Sequence, residues 1–389
     1  MKMKMKTILL LVILASICFN CNFFKDVISD SPSVESEESP NLEATPTEEI
    51  TLAPTPVITA TPEGFPDDYA SGIYFLGYKL INDHFYAGLW FDDFFYSFGD
   101  SDTKANQFIY HDGKVISIGY KESTPGNTKA CYWINDEIHY LSPDIDEASM
   151  ATDICYNNGD LYISGYIGNI PSTACYWLNG NITYLEEPSL EGSSKAMSIY
   201  YDTGERVIMI IGYSRDTLET RSRCYWYGTY TRNSLIVSGG GNLYPGYKYG
   251  GTFYFPSGFG YNTIDFSSFG GMAYHPVRES QEITTMAVTS VYKFAIGTQL
   301  IEGRESAAAW IDGILIYKPN NLFSRPIGSA LCGGTIYIAG IARAQESDPP
   351  KANYWTISTN FIPLDGRTFA NKAIDNDDYS YAVDVLMVP

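Results

Sequence analysis

Basic residues are scarce in this 389-residue chain: 25 Lys and Arg stand against 45 Asp and Glu, a formal net charge of −20. A protein that grips nucleic acid needs a cationic footprint to displace phosphate counterions, so nucleic-acid partners are not expected. Histidine is rarer still, and the four residues His84, His111, His139 and His275 follow no common spacing. No His-Glu-x-x-His, Gly-x-Ser-x-Gly or phosphate-loop motif is present. The five cysteines downstream of residue 100 form no Cys-x-x-Cys pair, which argues against zinc. The acidic clusters around Asp100, Asp144 and Asp375 lack the glycine and terminal glutamate of a calcium loop. Neither a metal nor a cofactor is therefore expected, and no catalytic residue is assigned. Long apolar runs are absent too, apart from one at the N-terminus.

That run is short. Met1 to Lys6 alternates Met with Lys, and Ile8 to Phe19 is apolar but too brief to span a bilayer comfortably. The pattern reads as a secretory signal peptide over residues 1–20. It ends in Ile17-Cys18-Phe19-Asn20-Cys21, which resembles the relaxed lipobox of spirochaete-like bacterial lipoproteins. The resemblance implies that Cys21, with Cys18 as the alternative, is lipidated and becomes the first residue of an anchored protein.

Residues 21–68 carry seven prolines among Ser, Thr and Glu, and residues 26–68 hold eleven acids with no Lys or Arg. Such a composition cannot bury enough apolar surface to fold. As a coil it would reach about 40 Å, and further if its like charges stretch it. It reads as an acidic tether between a lipid and a folded body at residues 69–389.

In the body a tryptophan returns at a near-constant interval. Trp90, Trp133, Trp177, Trp226, Trp310 and Trp355 are separated by 43, 44, 49, 84 and 45 residues, and the long step is two periods with one Trp missing. Three of them sit in Cys-Tyr-Trp, at Cys131, Cys175 and Cys224. A glycine stands 12 to 15 residues before each Trp, at Gly77, Gly119, Gly165, Gly212, Gly297 and Gly340. A period of this length signals a repeat architecture. One unit is plain: Ala151–Tyr156 and Leu161–Tyr166 flank Asn-Asn-Gly, and Thr173–Leu178 and Ile182–Leu185 flank Asn179-Gly180. Asn-Gly between apolar alternations is a strong hairpin signal, because both central residues of such a turn take positive φ.

Four short strands per 42 to 49 residues are what β-propeller blades look like. The expectation is an all-β, seven-bladed propeller of four-stranded antiparallel blades, with eight blades or an open array as the alternatives. The fifth unit, without a Trp, is read from Thr252–Phe255 and from Tyr274 near the Trp position. Ala373-Ile374-Asp375 is read as the start of an inner strand, with Tyr379–Val385 after it, so that the C-terminus completes the first blade and leaves no free sheet edge. Cysteines at repeat-equivalent positions are read as small core residues rather than bridges.

The segment that breaks the repeat is rich in rings. Tyr244, Tyr247, Tyr249, Phe259 and Tyr261 are candidate ligand-binding residues, since exposed rings give large contact area for few rotors. The competing reading is a drifted blade that has filled its core with aromatics.

Body and N-terminus together resemble bacterial extracytoplasmic β-propeller lipoproteins. That resemblance implies an exported, lipid-anchored envelope protein, at the outer membrane or cell surface rather than the inner membrane. It would be a monomer whose propeller face binds a protein or glycan. The alternative is a carbohydrate-active hydrolase or lyase with carboxylates at the central channel, for which Asp153 and Asp375 are the candidates.

Overall fold

The computed structural model describes residues 69–389 outside the segments 93, 143–145, 186–191, 204–205, 216–220, 229, 236–242, 250–251, 266–272, 278–279, 319–322, 360–366, 369 and 376–378. Cys18, Cys21 and the tether lie outside the described residues. Among the described residues there is no helix, and seven antiparallel sheets surround one axis as a seven-bladed β-propeller.

The third blade shows how the sequence makes the unit. Its strands are Ser149–Asn157, Asp160–Ile167, Thr173–Leu178 and Asn181–Tyr184, so the expected spans are met to within one residue at all but one end. Asn158 and Gly159, then Asn179 and Gly180, all have positive φ and turn the chain between successive strands. Along Thr173–Leu178, Ala174, Cys175 and Trp177 are buried while Tyr176 is partly exposed.

In four of the blades a glycine and a tryptophan then set the spacing. Gly165 lies against the Met150 carbonyl and the Trp177 ring, and a Cβ there would fall on the carbonyl oxygen. The same holds at Gly77 with the Tyr381 carbonyl and Trp90, at Gly212 with Lys195 and Trp226, and at Gly340 with Arg325 and Trp355. The indole fills the space a side chain would have occupied. All six Trp residues are at most 4 % exposed, and each contributes on the order of 3–5 kcal/mol, judged by the usual cost of truncating such a side chain to Ala.

Blades are joined by a recurring hydroxyl clasp. At the start of an inner strand a buried Ser or Thr accepts the backbone N–H of a third-strand Ala from the preceding blade. The pairs are Thr103 with Ala87, Ser149 with Ala130, Ser194 with Ala174, Ser324 with Ala307 and Ser380 with Ala352, at 2.8–3.0 Å. An unpaired buried N–H costs about 1–3 kcal/mol, so each clasp fixes the angle between two blades.

The last clasp belongs to the closure. Ser380–Val388 is the inner strand of the first blade and pairs antiparallel with Gly72–Ile81, so the last strand of the described residues lies beside the first. Two details of the expectation need correction. Ala370–Ala373 is the fourth, outer strand of the seventh blade, and Asp375 follows it, so Ala373–Asp375 starts no inner strand. Tyr274 lies on the fourth strand of the fifth blade, Ala273–Pro276, whereas the third strand is Gly260–Asp265 and has no Trp. Rings from the second strand of that blade, Phe253 and Phe255, fill the core instead, together with Leu243 and Ile264. The core moved by one strand, and a Trp-based register could not follow it.

Cys131, Cys175 and Cys224 are fully buried at equivalent positions, and the five cysteines among the described residues form no disulfide. Burial raises the pKa of the Cys131 and Cys175 thiols well above the ordinary value, which keeps them unreactive.

The glycine packing makes a direct prediction. Gly165→Ala forces the Met150 carbonyl and Trp177 apart and should cost about 1–3 kcal/mol, seen as a lower urea midpoint of the purified chain. An unchanged midpoint would contradict the close approach.

Candidate functional site

Two polar belts encircle the axis, and both follow from one repeated irregularity. In six of the seven blades the inner strand carries a β-bulge opposite the second-strand glycine. The extra residues are Val383, Asn106, Thr152, Met197, Thr284 and Ile327. A bulge re-aims the side chains around it, here toward the next blade. Asn106 donates to the Ala151 carbonyl at 2.7 Å, Thr152 to Ala196 at 2.9 Å and Thr284 to Pro326 at 2.7 Å.

The residue after each bulge forms the lower belt. Asp153 accepts from its own neighbour Ile154 N–H at 2.7 Å and, across the blade boundary, from Ser198 Oγ at 2.5 Å and Ile199 N–H at 2.9 Å. Asp384, at the same register in the first blade, accepts from Val385 N–H at 2.9 Å and from Phe108 N–H of the second blade at 3.4 Å. Gln107, between them, directs its amide to Asp153. Ser198 Oγ in turn accepts Gly246 N–H of the fifth blade at 3.1 Å, and Thr285 and Ser329 bond across the sixth and seventh blades at 2.8 Å. Burial raises the pKa of both carboxyl groups to about 7, against hydrogen bonds that favour the ionised form.

The upper belt lies one step before the bulge, at the end where the inner strands begin. Its residues are Tyr381, Lys104, Met150, Lys195, Glu282 and Arg325, joined by Tyr244 from the fifth blade. Beside them on the second strands stand Tyr78, Tyr120, Tyr166 and Tyr213, each directly after a spacing glycine. These side chains reach back to the preceding blade. Lys104 Nζ is 4.8 Å from the Phe85 ring centre and 5.9 Å from that of Tyr78, and Lys195 Nζ is 3.9 Å from that of Tyr166. Arg325 is 2.5 Å from Glu282 and donates to Tyr244 Oη at 3.1 Å, while the Tyr244 hydroxyl donates to Glu282. Lys104 also meets Glu122 at 3.4 Å. Burial is the main cause that raises the Tyr120 and Tyr166 pKa values to about 12, so both phenols stay protonated donors.

The five ring residues read from the sequence are not brought together. Tyr244 belongs to the upper belt. Phe259, 52 % exposed, lies in the turn between the second and third strands, at that same end. Tyr249, 39 % exposed, ends the inner strand Tyr247–Tyr249 and so lies at the opposite end. Tyr247 is half-buried against the core between blades five and six, and Tyr261 is buried, with His275 stacked 4.8 Å away. Of the two carboxylates considered for chemistry, Asp153 is on the inner strand. Asp375 is not: it accepts from Trp90 Nε1 at 3.2 Å and pairs with Lys79 at 2.9 Å. Asp384 occupies the place imagined for it. The Gly-Tyr step at 77, 119, 165 and 212 was the available signal for the upper belt. It is visible once the glycine and the residue after it are read together.

No protein-family model matches the chain, and no curated protein is detectably similar in sequence. Among solved structures, the computationally designed Ika8 protein is 11 % identical over 84 % of this chain and 93 % of its own, with a TM-score of 0.43. A puromycin-hydrolysing peptidase of Mycobacterium tuberculosis is 9 % identical over 81 % of this chain, with a TM-score of 0.45. The match spans 56 % of that peptidase. At such similarity neither says anything about activity.

The lower belt has a pH signature. A carboxyl whose pKa rises on folding gives the folded state extra protons between the ordinary carboxylate value near 4 and about 7. Stability should therefore fall as pH rises through that window. Asp384→Asn, which cannot ionise, should flatten this dependence, so that the melting difference between pH 5 and pH 8 is smaller in the variant than in the parent. An equal difference in both would show that Asp384 does not titrate there.

Proposed function

We propose that the chain is an exported, lipid-anchored binding or scaffold protein of the cell envelope, whose propeller presents its upper end to a partner protein or glycan. A propeller suits such a role in general, since it holds many loops and strand ends on a rigid frame. The observation that carries the reading is the upper belt: half-buried tyrosines with neutral hydroxyls and two lysines over aromatic rings, at one end of a body that is otherwise acidic. Rings with polar handles give contact area and orientation together. Phe259 at the same end adds an exposed apolar face.

The anchor and the address rest on the N-terminus. Cys21, or Cys18 in its place, would carry the lipid, and the acidic tether would hold the body off the bilayer as a monomer. The outer membrane or cell surface is the preferred site, because such a stalk is of most use where the partner lies outside.

A second reading, a carbohydrate-active hydrolase or lyase, draws on Asp153 and Asp384. Their pKa values suit proton transfer near neutrality. Yet both oxygens of each carboxylate already accept hydrogen bonds from the protein, which favours a structural role.

Binding to a glycan array and to envelope extracts tests the proposal. The doubly conservative variant Tyr166→Phe with Lys195→Gln, which keeps the packing, should weaken binding of the partner found with the parent chain about tenfold, a loss of roughly 1.4 kcal/mol. Binding unchanged in that variant would move the site away from the upper end. Turnover of an oligosaccharide that Asp153→Asn abolishes would replace the binding reading with the enzymatic one.

A further inference from the structure

A separate cavity of about 340 Å³ opens at the seam between the first and seventh blades. Its residues come from the start of the second strand and the end of the third strand of blade one, and from the second to fourth strands of blade seven. That places it toward the opposite end from the upper belt. Phe75, Phe91, Tyr337 and Tyr354 give it aromatic walls, and Asp92 and Lys372, both exposed, supply one anion and one cation.

The walls are fixed from behind. Phe75 and Tyr354 meet across the seam with ring centres 4.8 Å apart, and Phe91 stacks on buried Tyr74 at 4.4 Å. Lys372 Nζ is 5.7 Å from the Tyr354 ring centre. The ring of Trp90 closes the inner side, its indole N–H held by Asp375. A cleft of this size with aromatic walls and a few polar groups has the make-up of a small-ligand site. One carboxylate and one ammonium leave it without net charge. The suitable guest has an apolar face for the rings and hydroxyl groups for both charges.

We infer that this cleft is a binding site for a neutral sugar residue of a glycan chain, its C–H face against Tyr354 and Tyr337 and its hydroxyls on Asp92 and Lys372. The assignment stands whether or not the upper end binds a partner. Because its two walls belong to the first and seventh blades, an occupied cleft ties the ring at its seam. Ligand that binds only the folded ring also raises its apparent stability.

The test uses the full-length chain in detergent and neutral oligosaccharides of glucose, galactose, mannose and N-acetylglucosamine, followed by calorimetric titration and by melting. At least one should bind and raise the melting midpoint. Asp92→Asn combined with Lys372→Ala, two exposed changes, should weaken that binding tenfold or more while leaving the unliganded midpoint unchanged. The upper-belt variant should bind the sugar as the parent does. The assignment is overturned if no oligosaccharide of the panel binds, if the Asp92 and Lys372 changes leave affinity unaltered, or if free amino acids, which would also satisfy both charges, bind as well as the sugars.

Discussion

The structure depends on one pairing, between the last strand of the chain and the first of the body. Ser380–Val388 lies beside Gly72–Ile81, and with it the seven sheets become a ring with no open blade at either end. The junction is built like the others. Ser380 clasps Ala352 as Ser149 clasps Ala130, and Ala382 faces Gly77 as Ala151 faces Gly165. A seam made of the same parts as its neighbours is no weaker in kind. Its particularity is that its two sides come from the first and last strands of the described body, so it is the most non-local pairing in the ring.

From this closure the polar belts follow. The bulge in six of the inner strands sends one set of side chains forward to the next blade, and the level above it sends another set back. Asp153 and Asp384 belong to the forward set, and their hydrogen bonds cross blade boundaries. Asp153 is buried and Asp384 partly buried, and both are bonded and easily protonated, so the belt that holds the ring together also makes its stability depend on pH. The backward set, Lys104, Lys195 and Arg325, stays partly exposed and lends one end of an acidic body a local cationic and aromatic character. Packing and recognition thus use adjacent residues of the same strands.

Much of this was legible in the residues. The Trp period and the glycine before the Trp describe a true contact at Gly77, Gly165, Gly212 and Gly340, since the glycine makes room for the ring. The Asn-Gly and Asp-Gly turns lie where the alternation put them. The fifth blade was harder to read, because its core rings moved from the third strand to the second, where no Trp marks them. The candidate site was read less well, for a related reason. Its members are one per blade and some 40 to 50 residues apart, and only the bulge brings them to one level. A bulge leaves no composition signal: Asn106, Thr152 and Met197 share no chemistry. Asp384 was passed over because the inner strand was begun too early, at Ala373, which gave its place to Asp375.

The measurement that reaches the central claim most directly is a complementation experiment on the closing strand. A chain ending at residue 379 lacks the inner strand of the first blade, and a synthetic peptide of residues 380–389 carries it. Without the peptide, the truncated chain should show broad, early unfolding and rapid amide exchange in the first and seventh blades. Adding the peptide should restore a single cooperative transition and slow exchange there. A truncated chain that melts as cooperatively as the parent, at the same temperature and without the peptide, would contradict the dependence of the ring on its seam.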